Sequence, residues 1–264
     1  MQARELDEEI PAGERGANLF EEYLDNIERL VSTIRTKQKE KIVEAAEIIV
    51  DSTLSGGALY IFGAGHSSMM ASELAFRAGG FALANPIYYE GLMLNARPIH
   101  KTVLAERLES VGELIMEGIN LSCVDTLLVA SVSGRNAAPL EVAMIGKKMG
   151  AKLIALTSLE YSRSISSRHI SGKRLFELEP DLILDLCCPL GDATIDLEGF
   201  EQKIKPVSTI SGHIILNSVI VEVVEMLIRE KIDPLPVYMS ANLDQGKHFN
   251  DRVMEAYRSR INYL

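Results

Sequence analysis

Basic residues are in short supply: 27 lysines and arginines stand against 37 aspartates and glutamates, a formal charge of −10. That balance excludes the basic stripe with which nucleic-acid binders meet a phosphate backbone, and it disfavours an anionic membrane surface. Cysteine is scarce as well. Cys123 and the adjacent Cys187-Cys188 give neither a zinc spacing nor a disulfide framework, and they suit a reducing, cytoplasmic setting. No His-x-x-x-His or comparable cluster occurs, so neither a bound metal nor another cofactor is expected. Long apolar runs are also missing. The most apolar stretch, 212–228, is interrupted by Asn217, Glu222 and Glu225, which argues against a membrane span. Residues 1–16 are acidic and broken by Pro11, Gly13 and Gly16; they read as a flexible tail and not as a signal peptide.

What is present is an ordinary globular composition, 47% hydrophobic over 264 residues, enough for one α/β domain with appendages. The segment 17–55 predicts helix: Leu19, Tyr23, Ile27, Leu30 and Ile34 share a stripe, and Ile42, Ala45, Ala46 and Ile49 form a second after a polar break. From 56 to 264 short apolar runs alternate with helical periods. Strands are expected near 58–62, 81–88, 126–131, 152–157 and 182–187, and helices near 67–78, 103–118, 137–149, 209–230 and 247–260. Such alternation implies a three-layer α/β/α sandwich around a five-stranded parallel sheet with right-handed crossovers. The segment 159–181 reads as loop-rich.

Two small-residue loops follow two of these strands. Gly63-Ala64-Gly65-His66-Ser67-Ser68 comes after Ala58–Phe62, and Ser131-Val132-Ser133-Gly134-Arg135-Asn136 comes after Thr126–Ala130. Strand, glycine/serine turn and helix N-terminus together make an anion site, because unpaired N–H groups and the helix dipole face the ligand. Two such loops on one sheet point to a phosphorylated small molecule. A dinucleotide fingerprint fits less well, since Ser68 stands where its third glycine would be. No Gly-Lys-Ser/Thr follows either strand, against a nucleotide P-loop. In the second loop the Ser131 and Ser133 hydroxyls, the Gly134 N–H and the Asn136 side chain are available donors, with helix capping as the plainer role. In the first, Gly65 and His66 either shape the turn or touch the ligand.

The two loops together resemble the phosphate loops of the sugar isomerase (SIS) domain superfamily. Arg77-Ala78-Gly79-Gly80, Gly191-Asp192-Ala193 and Ser240-Ala241-Asn242 extend the likeness to stand-alone SIS proteins. The resemblance implies a homodimer with sites near the subunit interface, and phosphate contacts from Ser67, Ser131, Ser133 and Asn136. It also brings the hydroxyl pair Ser208-Thr209 to the site. Glu106 falls where several SIS enzymes hold a catalytic or substrate-orienting glutamate, with Glu109 as the alternative, and His213 falls where relatives place a basic residue. Arg77 occupies the register of the catalytic glutamate of phosphoheptose isomerases, and Glu73 that of their histidine, which sets this chain apart from them. Asp192 lies at the ligand-binding edge of the sheet, as a sugar-hydroxyl ligand or a turn residue. The expected activity is aldose–ketose isomerisation of a sugar phosphate by Glu106 and His213. A non-catalytic sugar-phosphate sensor and an amino-sugar phosphate etherase remain as alternatives.

Overall fold

A computed structural model describes residues 18–264; the expected tail at 1–16 lies outside the described residues. Helices α1 (Leu19–Lys37) and α2 (Lys39–Leu54) form the N-terminal segment. They are separated at Gln38, whose buried side chain leaves the helix line and accepts a hydrogen bond from the Asp185 N–H at 2.9 Å. The polar break read from sequence is therefore a functional peg in the fold. Next come β1 (Leu59–Gly63), α3 (Ser68–Leu74), β2 (Ala84–Ile87), α4 (His100–Ala105), α5 (Val111–Met116), β3 (Thr126–Ala130) and α6 (Ala137–Lys148). The chain continues through β4 (Lys152–Thr157), α7 (Leu159–Arg163), β5 (Leu182–Asp185), β6 (Ala193–Ile195), β7 (Ile204–Pro206), α8 (Ser208–Arg229) and α9 (Gly246–Tyr257).

Strands β1 to β5 form one parallel sheet in the order β2-β1-β3-β4-β5. Every residue of β1, β2 and β3 is buried, as strands covered on both faces require. Helices α2, α3 and α8 pack on one face, with α1 outside them, and α5 and α6 cover the other. Helix α8 is long and apolar enough to cross a membrane by composition. Its Ser211, Gly212, Ile215, Leu216, Val219 and Val223 are instead buried inside the sandwich.

The sheet order fixes where a ligand belongs. From β1 the chain moves outward to β2, then crosses back over β1 to β3, so the direction of winding reverses between β1 and β3. Crevices at such a switch point, outside the carboxyl ends of the strands, are where open α/β sheets bind ligands. Gly63 pairs in register with Ala130, so the two glycine/serine loops leave adjacent strands at the same height, with their roots about 5 Å apart.

Three expectations change. The helix expected at 103–118 is two short helices broken around Ser110, whose φ is +66°. The first-loop helix stops at Leu74 instead of reaching 78. The antiparallel pair β6–β7 is additional; three-residue strands are too short to show a period.

Candidate functional site

The first loop turns through a short 3-10 segment, Gly65–Ser67, directly into α3. Gly63 allows this tight closure: a Cβ there would sit 2.3 Å from the Ser67 carbonyl oxygen. Ser68 Oγ donates to the Gly65 carbonyl at 2.7 Å and holds the turn. Ser67 is buried, yet its hydroxyl has no hydrogen-bond partner among the described residues. His66 is exposed and Gly65 half-buried at the lip of the loop.

In the second loop the Gly134 N–H donates to Ser131 Oγ at 3.2 Å, which leaves the Ser131 hydroxyl proton to donate elsewhere. The Ser133 hydroxyl likewise has no partner among the described residues. Gly134 has a different purpose from the one its place in an anion loop suggests. Its φ is +59°, and a Cβ would meet Leu175 Cβ at 3.1 Å and Ser162 Oγ and Thr157 Oγ1 at 3.2 Å. The missing Cβ faces the protein, and glycine is demanded by packing beneath the loop.

Glu106 caps the C-terminal end of α4 and is tied to this loop, its carbonyl accepting from the Ala138 N–H at 3.0 Å. Its carboxyl lies beside the Asn136 side chain. Burial pushes its pKa above the usual carboxylate value, against the opposing pull of Asn136, Arg107 and Arg168. Asn136 Oδ1 accepts from Arg168 Nη1 at 3.2 Å, so this residue positions Glu106 as well as standing at the start of α6. His213 is on the opposite side of the sheet, in the second turn of α8. Its Nε2 lies 3.3 Å from the Met69 carbonyl, which can only accept. Nε2 therefore carries the hydrogen in this contact, which leaves Nδ1 as the nitrogen that can exchange a proton with a ligand. No hydrogen bond joins Glu106 to His213 among the described residues; Glu106 is anchored to the first turn of α6 and His213 to the first turn of α3, the helices that follow the two loops. Thr209 is half-buried in the first turn of α8 with a free hydroxyl.

A model of the SIS domain matches residues 22–158, which contain both loops and Glu106. The chain belongs to the SIS domain family. It is 38% identical over 245 residues to the UPF0309 protein OB3413 of Oceanobacillus iheyensis, covering 93% of this chain and 99% of that one. It is 40% identical over 244 residues to the UPF0309 protein ABC0887 of Shouchella clausii, covering 92% of this chain and 98% of the relative. Among solved structures it is similar to a phosphoheptose isomerase from Francisella tularensis, with a TM-score of 0.51 at 14% identity, over 79% of this chain and 97% of that one. That last likeness is one of fold.

Several SIS-type expectations take a different form here. The Asp192 carboxylate is engaged within the chain. Its Oδ1 accepts the Ser208 N–H at 2.8 Å and the Val207 N–H at 3.1 Å, and its Oδ2 accepts the Ser208 hydroxyl at 2.5 Å. The pair caps α8 from a distance and fixes the position of Thr209. Glu73 is held by Arg77 and, at 3.1 Å, by Asn217 Nδ2. Parts of the C-terminal segment pack at the amino end of the sheet. Val237 bridges Phe81 at the amino end of β2, and Arg260 binds the Gly57 carbonyl before β1, both on the far edge. A cleft of about 430 Å³ between Asp51, Cys123, Lys152 and Asp181 also belongs to that far edge. Burial raises the Cys187 thiol to about 11, so it is no ready nucleophile.

Glu109, Glu141 and His169 form a cluster that sequence reasoning missed, because its members come from three segments far apart in the chain. The set is of metal-ligating type, with its donor atoms within 4.8 Å of one another. Its hydrogen bonds are complete without an ion. The Ser171 N–H donates to His169 Nδ1 at 3.2 Å, so Nε2–H faces Glu109 Oε2 at 3.1 Å and Glu141 Oε1 at 3.5 Å. Glu141, buried in α6, accepts the Ser110 and Gly112 N–H groups at 2.6 Å each and so caps α5. Glu141→Ala should orphan the buried Gly112 amide, release the more exposed Ser110 amide to water and lower stability by about 2 kcal/mol. Chemical denaturation measures this; an unchanged midpoint would show that α5 has another cap.

Proposed function

We propose that this chain binds a phosphorylated sugar between the loops after β1 and β3 and isomerises it between aldose and ketose forms. One observation carries the reading. At the winding reversal of the sheet, the hydroxyls of Ser67, Ser131 and Ser133 keep a hydrogen to donate, beside Glu106, whose pKa burial has raised. The phosphate takes these hydroxyls and the N-terminus of α6. Glu106, as carboxylate, removes the proton from the carbon next to the carbonyl and returns it to the neighbouring carbon through an enediol. His213 Nδ1 accepts the hydroxyl proton during ring opening, and Thr209 orients that hydroxyl.

The test is a thermal-shift screen of aldose and ketose phosphates, followed by NMR of the bound hits in deuterated water. Deuterium should enter the carbon beside the carbonyl. Tight binding without exchange would turn the reading to a sensor. Ser133→Ala should weaken phosphate-ester binding on the order of tenfold to a hundredfold, since a charge-assisted bond of about 1.5–3 kcal/mol is lost. Unchanged affinity would remove the second loop from the site.

The homodimer belongs to the same proposal. On α1, Leu30 and Ile34 are buried within the chain itself, whereas Phe20 and Leu24 are exposed. Ile99, Val103, Leu104 and Leu108 add an exposed apolar surface around Glu106. Leu104→Glu with Leu108→Glu should give a folded monomer by light scattering; an unchanged mass would place the interface elsewhere.

A further inference from the structure

Three arginines gather beside the second loop, with Glu106 as their nearest carboxyl and no ion pair to any acid among the described residues. Arg107 follows Glu106, which the Ala138 N–H holds against the start of α6. Arg135 is within the loop, and its carbonyl accepts the Arg168 N–H at 2.8 Å, which places Arg168 against the loop. Arg168 Nη1 then reaches Asn136 Oδ1 at 3.2 Å. None of the three forms a salt bridge among the described residues, although acidic side chains predominate in the chain as a whole. Arg135 Nε is buried with no hydrogen-bond partner. The nearest carboxyl, Glu106, attracts Arg107 and Arg168 without forming an ion pair with either among the described residues, and Glu109 is already engaged by His169 and the Ile170 N–H. Desolvation lowers the Arg168 pKa, and repulsion from Arg135 and Arg107 adds to it against the attraction of Glu106 and Tyr161. Guanidinium groups present planar paired donors suited to carboxylate and phosphate oxygens.

The geometry points to a ligand with two anionic groups: one phosphate on the loop hydroxyls, and a second phosphate or a carboxylate received by Arg107, Arg135 and Arg168. This rests on the sugar-phosphate reading and narrows its substrate class. The Ser131 and Ser133 hydroxyls and the α6 N-terminus suffice for one phosphate, so three unpaired guanidiniums at its side exceed what a monoester needs. The arginines are solvent-facing at Arg107 and Arg168, so a ligand arriving from the carboxyl edge of the sheet meets them as it meets the loops.

Three probes separate the possibilities: glucose 6-phosphate, 6-phosphogluconate and fructose 1,6-bisphosphate, each titrated by calorimetry into wild type, Arg168→Gln, Arg168→Lys and Ser133→Ala. Wild type should bind at least one of the two doubly anionic probes more than about tenfold tighter than glucose 6-phosphate. Preference for 6-phosphogluconate identifies a carboxylate, and preference for the bisphosphate a second phosphate. Arg168→Gln should abolish that preference while changing glucose 6-phosphate affinity less than about threefold, and Arg168→Lys should restore part of it. Equal loss for all three probes in Arg168→Gln would show that the arginines hold the first phosphate, and overturns the proposal. Equal binding of all probes by wild type overturns it too. Failure of the underlying reading looks different: no phosphorylated probe binds, or Ser133→Ala leaves every affinity unchanged. Melting curves of each variant without ligand confirm that it is folded.

Discussion

Glu106→Gln should cut turnover of the isomerised sugar by about two to four orders of magnitude while leaving the affinity for its phosphate nearly intact. The amide keeps the shape and the neighbourhood of Asn136 but cannot take a proton. The pH dependence sharpens the test. A general base works as the anion, and burial raises the Glu106 pKa, so the acid limb of kcat/KM should lie above the ordinary carboxylate range. Stability should move the opposite way. A carboxyl whose folded pKa exceeds its unfolded value contributes most below the unfolded value, and that contribution is lost as pH rises through the folded value. Wild type should therefore lose stability between those two pH values, and Glu106→Gln should not. The variant is expected to melt higher than wild type at pH 8, with the gap closing toward pH 4. Full turnover in Glu106→Gln would remove Glu106 from the chemistry. Its alternative Glu109 is less free to act, because it is bound to His169 and the Ile170 N–H.

Gly63→Ala should damage both fold and binding. The new methyl would lie 2.3 Å from the Ser67 carbonyl oxygen and 2.5 Å from its carbon. These are backbone atoms of the loop itself, so no side chain can swing aside. The loop must open, which costs about 3 kcal/mol by analogy with overpacked cores. For a chain of this size that corresponds to a melting temperature lower by roughly 6–10 °C. Ser67 moves with the backbone, so phosphate-ester affinity should fall at least about tenfold. A variant with wild-type melting and affinity would mean that the 3-10 turn is not the conformation that binds.

The sheet was legible because its signal is local. Leu59–Gly63, Thr126–Ala130 and Lys152–Thr157 are short apolar runs ended by small residues, and such runs have few ways to be buried except as central strands. The two loops were legible for the same reason, as glycine and serine crowd at the end of each strand. Long-range capping was not. Nothing near Ser110 announces that α5 begins there, since the group that stabilises its first turn is the Glu141 carboxylate from another helix. Asp192 stayed open between a ligand and a turn residue for a related reason. A Gly-Asp pair at the ligand-binding edge looks free in sequence, and only the fold brings the N-terminus of α8 onto its carboxylate. The Arg107–Arg135–Arg168 group was equally hidden, because backbone hydrogen bonds assemble it from three separate segments.

The contacts under the second loop have a bearing on how the protein can change. The loop is held from below by main-chain bonds, Leu175 N–H to the Gly134 carbonyl and Arg168 N–H to the Arg135 carbonyl, and by the absent side chain of Gly134 against Thr157 and Leu175. Main-chain bonds are indifferent to which side chain a residue carries. The underside of the loop thus tolerates no variation at Gly134, while Ser133, Arg135 and Arg168 can be exchanged without disturbing the support. Ligand preference and folding are written on opposite sides of the same six residues. A library that fixes Gly134 and varies those three positions among residues other than proline, which would remove the Arg168 N–H, should stay folded and sort its members by the ligand they accept.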